Sequence, residues 1–157
     1  MQRPPTERSK AVEQEAHRTQ AERAGRTQSR SGMRVRLELF VEDMEASIGF
    51  YTRVLGFEVA RNEPGDYASL RNGDVVLGIG PISKLPEEGG YFTRDIASSR
   101  RGLGVEIVLE VEDVNEWHRR VVASGHPVFE PPQERPWGLR DFRIVDPDGY
   151  YLRLTSR

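Results

Sequence analysis

The stretch Arg34-Val-Arg-Leu-Glu-Leu-Phe-Val41-Glu-Asp43 has a counterpart in Val105-Glu-Ile-Val-Leu-Glu-Val111-Glu-Asp113. The first puts Val35, Leu37, Leu39 and Val41 on one face, and the second does the same with Val105, Ile107, Leu109 and Val111. Alternation with a period of two marks a half-buried strand. Both strands end in Val-Glu-Asp, 70 residues apart. Asp43 and Asp113 stand where a helix N-cap belongs.

The segments after these two strands repeat as well. Met44, Ile48, Tyr51 and Leu55 are spaced as one helical stripe, with Gly56 as the expected C-terminal stop. Val114, Trp117, Val121 and Val122 form the second stripe, closed by Gly125, and Glu116 pairs with the Asp113 cap. In the first half, Phe57–Ala60, Tyr67–Arg71 and Asp74–Ile79 read as strands, the last two joined by the hairpin signal Asn72-Gly73. In the second, Val128–Glu130, Arg140–Val145 and Tyr151–Thr155 do so, with Asp146-Pro-Asp-Gly149 as a turn between the last two. The chain is therefore an internal duplication of a βαβββ unit. The fold class is α+β, with module 1 at 34–80, a Pro/Gly/Ser-rich linker at 81–103 and module 2 at 104–157.

Residues 1–32 are of another kind. They contain no Leu, Ile, Phe, Tyr or Trp, and carry seven Lys/Arg against four Glu. Such a segment cannot offset the entropy lost on ordering, so a disordered tail is expected, with Met33 at the edge of the domain spanning 33–157.

Composition excludes several classes. There is no cysteine among the 157 residues, hence no disulfide, thiolate nucleophile or cysteine-bound metal. The formal charge of −2 gives no reason to expect nucleic acid. No apolar run reaches a membrane span, and no apolar segment follows the N-terminus, so the cytoplasm is the expected location. Gly78-Ile-Gly80 is followed by Pro81 rather than a helix start, which is not a dinucleotide fingerprint.

The paired modules, with Asp43, Phe50-Tyr51 and Leu55-Gly56-Phe57 in the first and Asp146-Pro-Asp-Gly149 in the second, resemble the vicinal-oxygen-chelate superfamily. Its members include glyoxalase I, bleomycin-resistance proteins and extradiol dioxygenases. The resemblance implies a curled mixed sheet around a cleft, and a homodimer. It also implies four metal-ligand positions in the metal-dependent members, which fall here on Arg36, near Gly78, on Glu106 and on Arg153. A guanidinium has no lone pair to donate and stays charged, so Arg36 and Arg153 cannot ligate a cation. His17, His118 and His126 offer no facial triad. No metal, cofactor or catalytic residue is expected.

Strand alternation turns Arg36, Glu38, Phe40, Glu106, Tyr151 and Arg153 away from the helices, toward the expected cleft. Arg36, Glu106 and Arg153 are expected to converge, either as a recognition site or as a salt-bridge cluster in a former metal site. Trp137, in Pro136-Trp137-Gly138, is placed to stack on a planar ligand or to cover the edge of the core, whereas Trp117 lies on the apolar stripe of its helix. The Tyr91-Phe92 pair in the linker either closes over a cleft or meets a partner. The expected function is binding of a small molecule, an antibiotic among the candidates, as in bleomycin-resistance proteins. The alternatives are a metal-dependent glyoxalase- or dioxygenase-like enzyme and a metal-free lyase or isomerase with Glu106 as base.

Overall fold

The computed structural model describes residues 33–157, so the expectation for 1–32 lies outside the described residues. Module 1 comprises β1 (Leu37–Val41), α1 (Met44–Gly49), β2 (Glu58–Glu63), β3 (Tyr67–Asn72) and β4 (Val75–Pro81). The linker adds a 3₁₀ turn (Ile82–Lys84) and a short helix α2 (Arg94–Ser98). Module 2 comprises β5 (Ile107–Val111), α3 (Val114–Ala123), β6 (Val128–Glu134), β7 (Arg140–Val145) and β8 (Tyr151–Ser156).

The two modules build two open four-stranded sheets of the same topology. Sheet A has the order β1-β4-β3-β2 and sheet B the order β5-β8-β7-β6. The first strand of each module runs parallel to the fourth, and the other pairs are antiparallel. The equivalence extends to register. Leu37 pairs with Leu77 as Ile107 pairs with Leu152, which makes Gly78 and Arg153 equivalent, and likewise Arg36 and Glu106. Duplication thus places each expected ligand position twice, once per sheet.

The caps form as their chemistry requires. The Asp43 side chain accepts from the Ala46 N–H, and Asp113 accepts from those of Asn115 and Glu116. Gly56 and Gly125 end their helical segments at φ +66° and +78°, a region that side chains with a Cβ avoid. One difference from expectation lies in the first helix. It widens after Gly49 into a π-helical stretch, Phe50–Val54. The Thr52 hydroxyl donates to the Ile48 carbonyl at 2.7 Å, and Leu55 N–H reaches back to Phe50 O at 3.4 Å. The wider turn buries Phe50, Tyr51, Val54 and Leu55 together. Strand β6 also runs four residues beyond its expected end, through two bulges.

A single apolar cluster runs through both modules, from Leu39, Val41 and Tyr51 to Phe142, Ile144, Leu152 and Leu154. The junction is polar as well as apolar. Tyr51 donates its hydroxyl to Asp146 at 2.9 Å, Ser47 donates to Asp148 at 2.6 Å, and the Tyr150 hydroxyl reaches back to the Phe40 backbone. Among the described residues no helix is long and apolar enough to cross a membrane.

Candidate functional site

In both sheets the side chains that alternate with the core residues lie on the face away from the helices. On sheet B, β7 presents Asp141, Arg143 and Val145 there, opposite Thr155, Arg153 and Tyr151 of β8. A row of Val108, Arg153, Arg143 and Glu130 crosses all four strands. Two arginines directly opposite one another repel unless carboxylates intervene.

Three carboxylates do intervene. Glu106 lies 3.4 Å from Arg153 and 3.5 Å from Arg143. Glu130 accepts from Arg135 at 2.8 Å and from Arg143. Asp141, with no exposed surface, accepts on Oδ1 from Arg135 Nε at 2.8 Å, with the Nη2 of the same guanidinium 2.7 Å away as an ion pair. Its Oδ2 faces Arg153 at 3.9 Å and Arg143 at 4.0 Å and has no hydrogen-bond partner among the described residues. Hydrogen bonds from Arg135 and Arg143 hold the Glu130 carboxyl below its ordinary range. The result is a network of three guanidiniums and three carboxylates.

Beside it lies a cleft of about 810 Å³. Its walls are Arg101 and Leu103 from the end of the linker, and Val105, Glu106, Phe129 and Tyr151 from module 2. Phe129 and Tyr151 meet edge to face at 5.5 Å, with Phe129 exposed. Glu106 belongs to both the cleft and the ion network. A second groove, of about 870 Å³, runs between the β3–β4 turn and the start of α3, past Trp117 and Arg120. None of the residues expected to bind a ligand lines it.

The expected residues fall into three groups. Glu106, Tyr151 and Arg153 come together on sheet B. Arg36, Glu38 and Phe40 are on sheet A. Arg36 pairs with Glu38 at 2.5 Å, so the expected convergence of Arg36 with Glu106 and Arg153 does not occur within the chain. The reason is the duplication itself, since Arg36 and Glu106 hold equivalent places on different sheets. The Glu38 carboxylate lies across Gly78, where a Cβ would collide with it, and the Tyr67 hydroxyl is 3.4 Å away. Phe40 is covered by Phe92 of the linker, ring centres 5.0 Å apart, so the linker aromatic folds onto sheet A. Trp137 stands apart at the tip of the β6–β7 hairpin, 57% exposed. Arg135 closes that hairpin by donating its N–H to Leu139 O at 2.8 Å.

Sequence reading missed Arg135, Asp141, Arg143 and Glu130, which form most of the network. Arg143 was legible in principle, because it shares the alternation of β7 with Asp141. Arg135 was not, because its position depends on the bulges in β6.

The residues present do not fit a metal of the kind the fold suggests. Two of the four positions are guanidiniums and a third is Gly78. The fourth, Glu106, is flanked by two arginines. Among the described residues no cluster of three His, Cys, Asp or Glu side chains is arranged to hold an ion.

Comparison with known proteins agrees with this architecture. The chain is 26% identical over 121 residues to a bleomycin resistance protein of Klebsiella pneumoniae, covering 73% of this chain and 84% of that protein. It is 29% identical over 123 residues to a lactoylglutathione lyase of Arabidopsis thaliana, of whose length it spans only 41%. Among solved structures, a glyoxalase/bleomycin resistance protein/dioxygenase from Nocardioides superposes with a TM-score of 0.66 at 23% identity, over 88% of this chain and 91% of that one. TioX from Micromonospora sp. ML1 gives 0.63 at 24% identity, over 80% and 98%. The sequence profile of the Glyoxalase/Bleomycin resistance protein/Dioxygenase superfamily matches residues 34–154, and with the duplicated βαβββ fold this shows that the chain belongs to that superfamily.

Proposed function

We propose that the protein binds and sequesters a small polar molecule with a planar part, as a stoichiometric binder without metal or bond chemistry. The observation that carries this reading is the fate of the four positions at which the fold admits metal ligands. There Arg36, Glu106 and Arg153 bring ionic partners, Gly78 has no side chain, and an aromatic pair stands beside Glu106 on sheet B. The likeness to a bleomycin resistance protein supports the same reading. Glu106 is a poor candidate for a catalytic base, since Arg143 and Arg153 already engage its oxygens. In this reading the site is completed in a homodimer, with sheet A of one chain facing sheet B of another and Trp137 reaching toward the ligand.

Titration calorimetry and thermal unfolding with bleomycin as probe test it. Saturable binding that raises Tm is expected, since a ligand of the native state stabilises it by mass action. Trp137→Ala is expected to weaken that binding by roughly 1–3 kcal/mol if stacking dominates. Turnover of lactoylglutathione in the presence of added zinc or nickel, with no binding of the probe, would overturn the proposal.

A further inference from the structure

The ion network on sheet B is uneven in a way that identifies what it is built to receive. At one end Arg135 grips Asp141 and Glu130 at 2.7–2.8 Å. At the other, the Arg153 guanidinium makes no contact closer than 3.4 Å among the described residues, although only 21% of its side chain is exposed. Three buried polar atoms at that end have no hydrogen-bond partner among the described residues: Nε of Arg143, Nε of Arg153 and Oδ2 of Asp141. Two are donors and one is an acceptor. Leaving such groups unpaired away from water costs free energy comparable to the hydrogen bonds they lack. Asp141, with no exposed surface, is not relieved by bulk solvent. Glu106 lines the cleft and lies 3.4 Å from Arg153 and 3.5 Å from Arg143, so the cleft borders this end of the network.

Charge decides the chemical class of the guest. Within the network Arg135, Arg143 and Arg153 balance Glu106, Glu130 and Asp141 one for one; elsewhere on the cleft wall Arg101 is paired with Glu42 and Asp148, and Arg100 is exposed to solvent. A carboxylate or phosphate added here would be a fourth anion against three cations, and an ammonium or amidinium a fourth cation against three anions. Either would be an uncompensated charge on a largely desolvated face. A neutral group that accepts from guanidinium N–H and donates to a carboxylate oxygen meets the unpaired atoms without that penalty.

We propose that the cleft beside Glu106 recognises an uncharged carboxamide, urea or similar donor–acceptor group attached to an aromatic ring. The ring lies against Phe129 and Tyr151, and the polar group is held by Arg143, Arg153 and Asp141. This rests on the binding reading above and specifies its ligand.

Three probes with one ring and three charges test it: benzamide, benzoate and benzamidine. They are titrated into the full chain while the arginine Nε–H signals are followed by ¹H–¹⁵N NMR, with Arg143 and Arg153 assigned by substitution. Benzamide is expected to move both signals and to bind about tenfold more tightly than either charged analogue. Glu106→Gln keeps the shape but leaves the network one positive charge in excess, and should transfer the preference to benzoate. Arg153→Gln leaves one negative charge in excess and should transfer it to benzamidine. Tightest binding of benzoate or benzamidine to the unaltered protein at these arginines would overturn the ligand class and leave the binding reading standing. If none of the three moves either signal, this face is not the ligand site. Bleomycin binding would then show whether sequestration occurs elsewhere or not at all.

Discussion

Asp141 is the side chain on which the sheet B arginines depend. It is fully buried, and three guanidiniums face it. Asp141→Ala would leave them crowded without their central counter-charge. We expect a loss of about 3–5 kcal/mol of stability, the usual cost of breaking a buried pair by removing one partner. Glu106→Ala removes a carboxylate whose side chain is 34% exposed, so water compensates and about 1 kcal/mol or less is expected. Urea denaturation of both variants checks the contrast, and equal losses would mean that the site is as wet at Asp141 as at Glu106.

Asp146 poses a different residue-scale problem. Burial pushes its carboxyl above the ordinary aspartate value of 3.8, although the Tyr150 and Asp148 backbone N–H groups and the Tyr51 hydroxyl all favour its charge. Asp148 also adds a like charge nearby. A carboxyl with a raised folded-state pKa binds its proton more tightly in the folded than in the unfolded chain. Its contribution to stability is therefore present at low pH and falls as pH rises from about 3.8 through the raised value. Asp146→Asn keeps the turn acceptor and loses the titration. Measured from about pH 4 to pH 7, its stability relative to the parent should improve with rising pH. A difference that stays flat would show that the burial penalty is fully offset by the hydrogen bonds.

At the scale of elements, the two helical segments stop for the same reason and in different surroundings. Gly56 and Gly125 both have positive φ. A Cβ at Gly56 would lie 2.8 Å from the Arg120 guanidinium, whereas one at Gly125 would meet nothing within 4 Å among the described residues. The guanidinium is the far end of a flexible side chain, so backbone strain should dominate at both sites. Gly56→Ala and Gly125→Ala are each expected to cost about 1–2 kcal/mol, read from thermal unfolding. A loss at Gly56 well beyond that at Gly125 would mean that Arg120 is held in place, with Trp117 beneath it at 5.1 Å as the restraint.

The whole molecule is joined at the Asp146–Gly149 turn. Asp148 accepts from the Glu42 N–H at 2.7 Å and the Ser47 hydroxyl at 2.6 Å, and lies 3.8 Å from Arg101. One carboxylate thus ties β1, α1 and the linker to module 2. Asp148→Ala should cost roughly 1–3 kcal/mol, the penalty of leaving the buried Ser47 hydroxyl unpaired. Because the apolar cluster is continuous between modules, unfolding should remain a single transition by far- and near-ultraviolet circular dichroism. Two separated transitions in the variant would show that the polar tie, rather than the apolar core, makes the modules one cooperative unit.

The sequence by itself determined whatever depends on neighbours along the chain. Strand faces follow from alternation, caps from Asp43 and Asp113, helix stops from Gly56 and Gly125, and the duplicated topology from the repetition of all three. That Arg36 and Arg153 cannot donate a lone pair to a cation was legible too, because it follows from their residue type. Tertiary structure decided everything that depends on which strands lie side by side. Arg36 and Glu106 occupy equivalent places, so a one-dimensional reading sees them as partners. The fold instead puts them on separate sheets, where Arg36 turns to Glu38 and Glu106 to Arg143 and Arg153. The Asp141 network was hidden for the same reason. A buried carboxylate is sustained by guanidiniums from a hairpin tip and two adjacent strands, and charge pairing across strands leaves no periodic trace in the sequence.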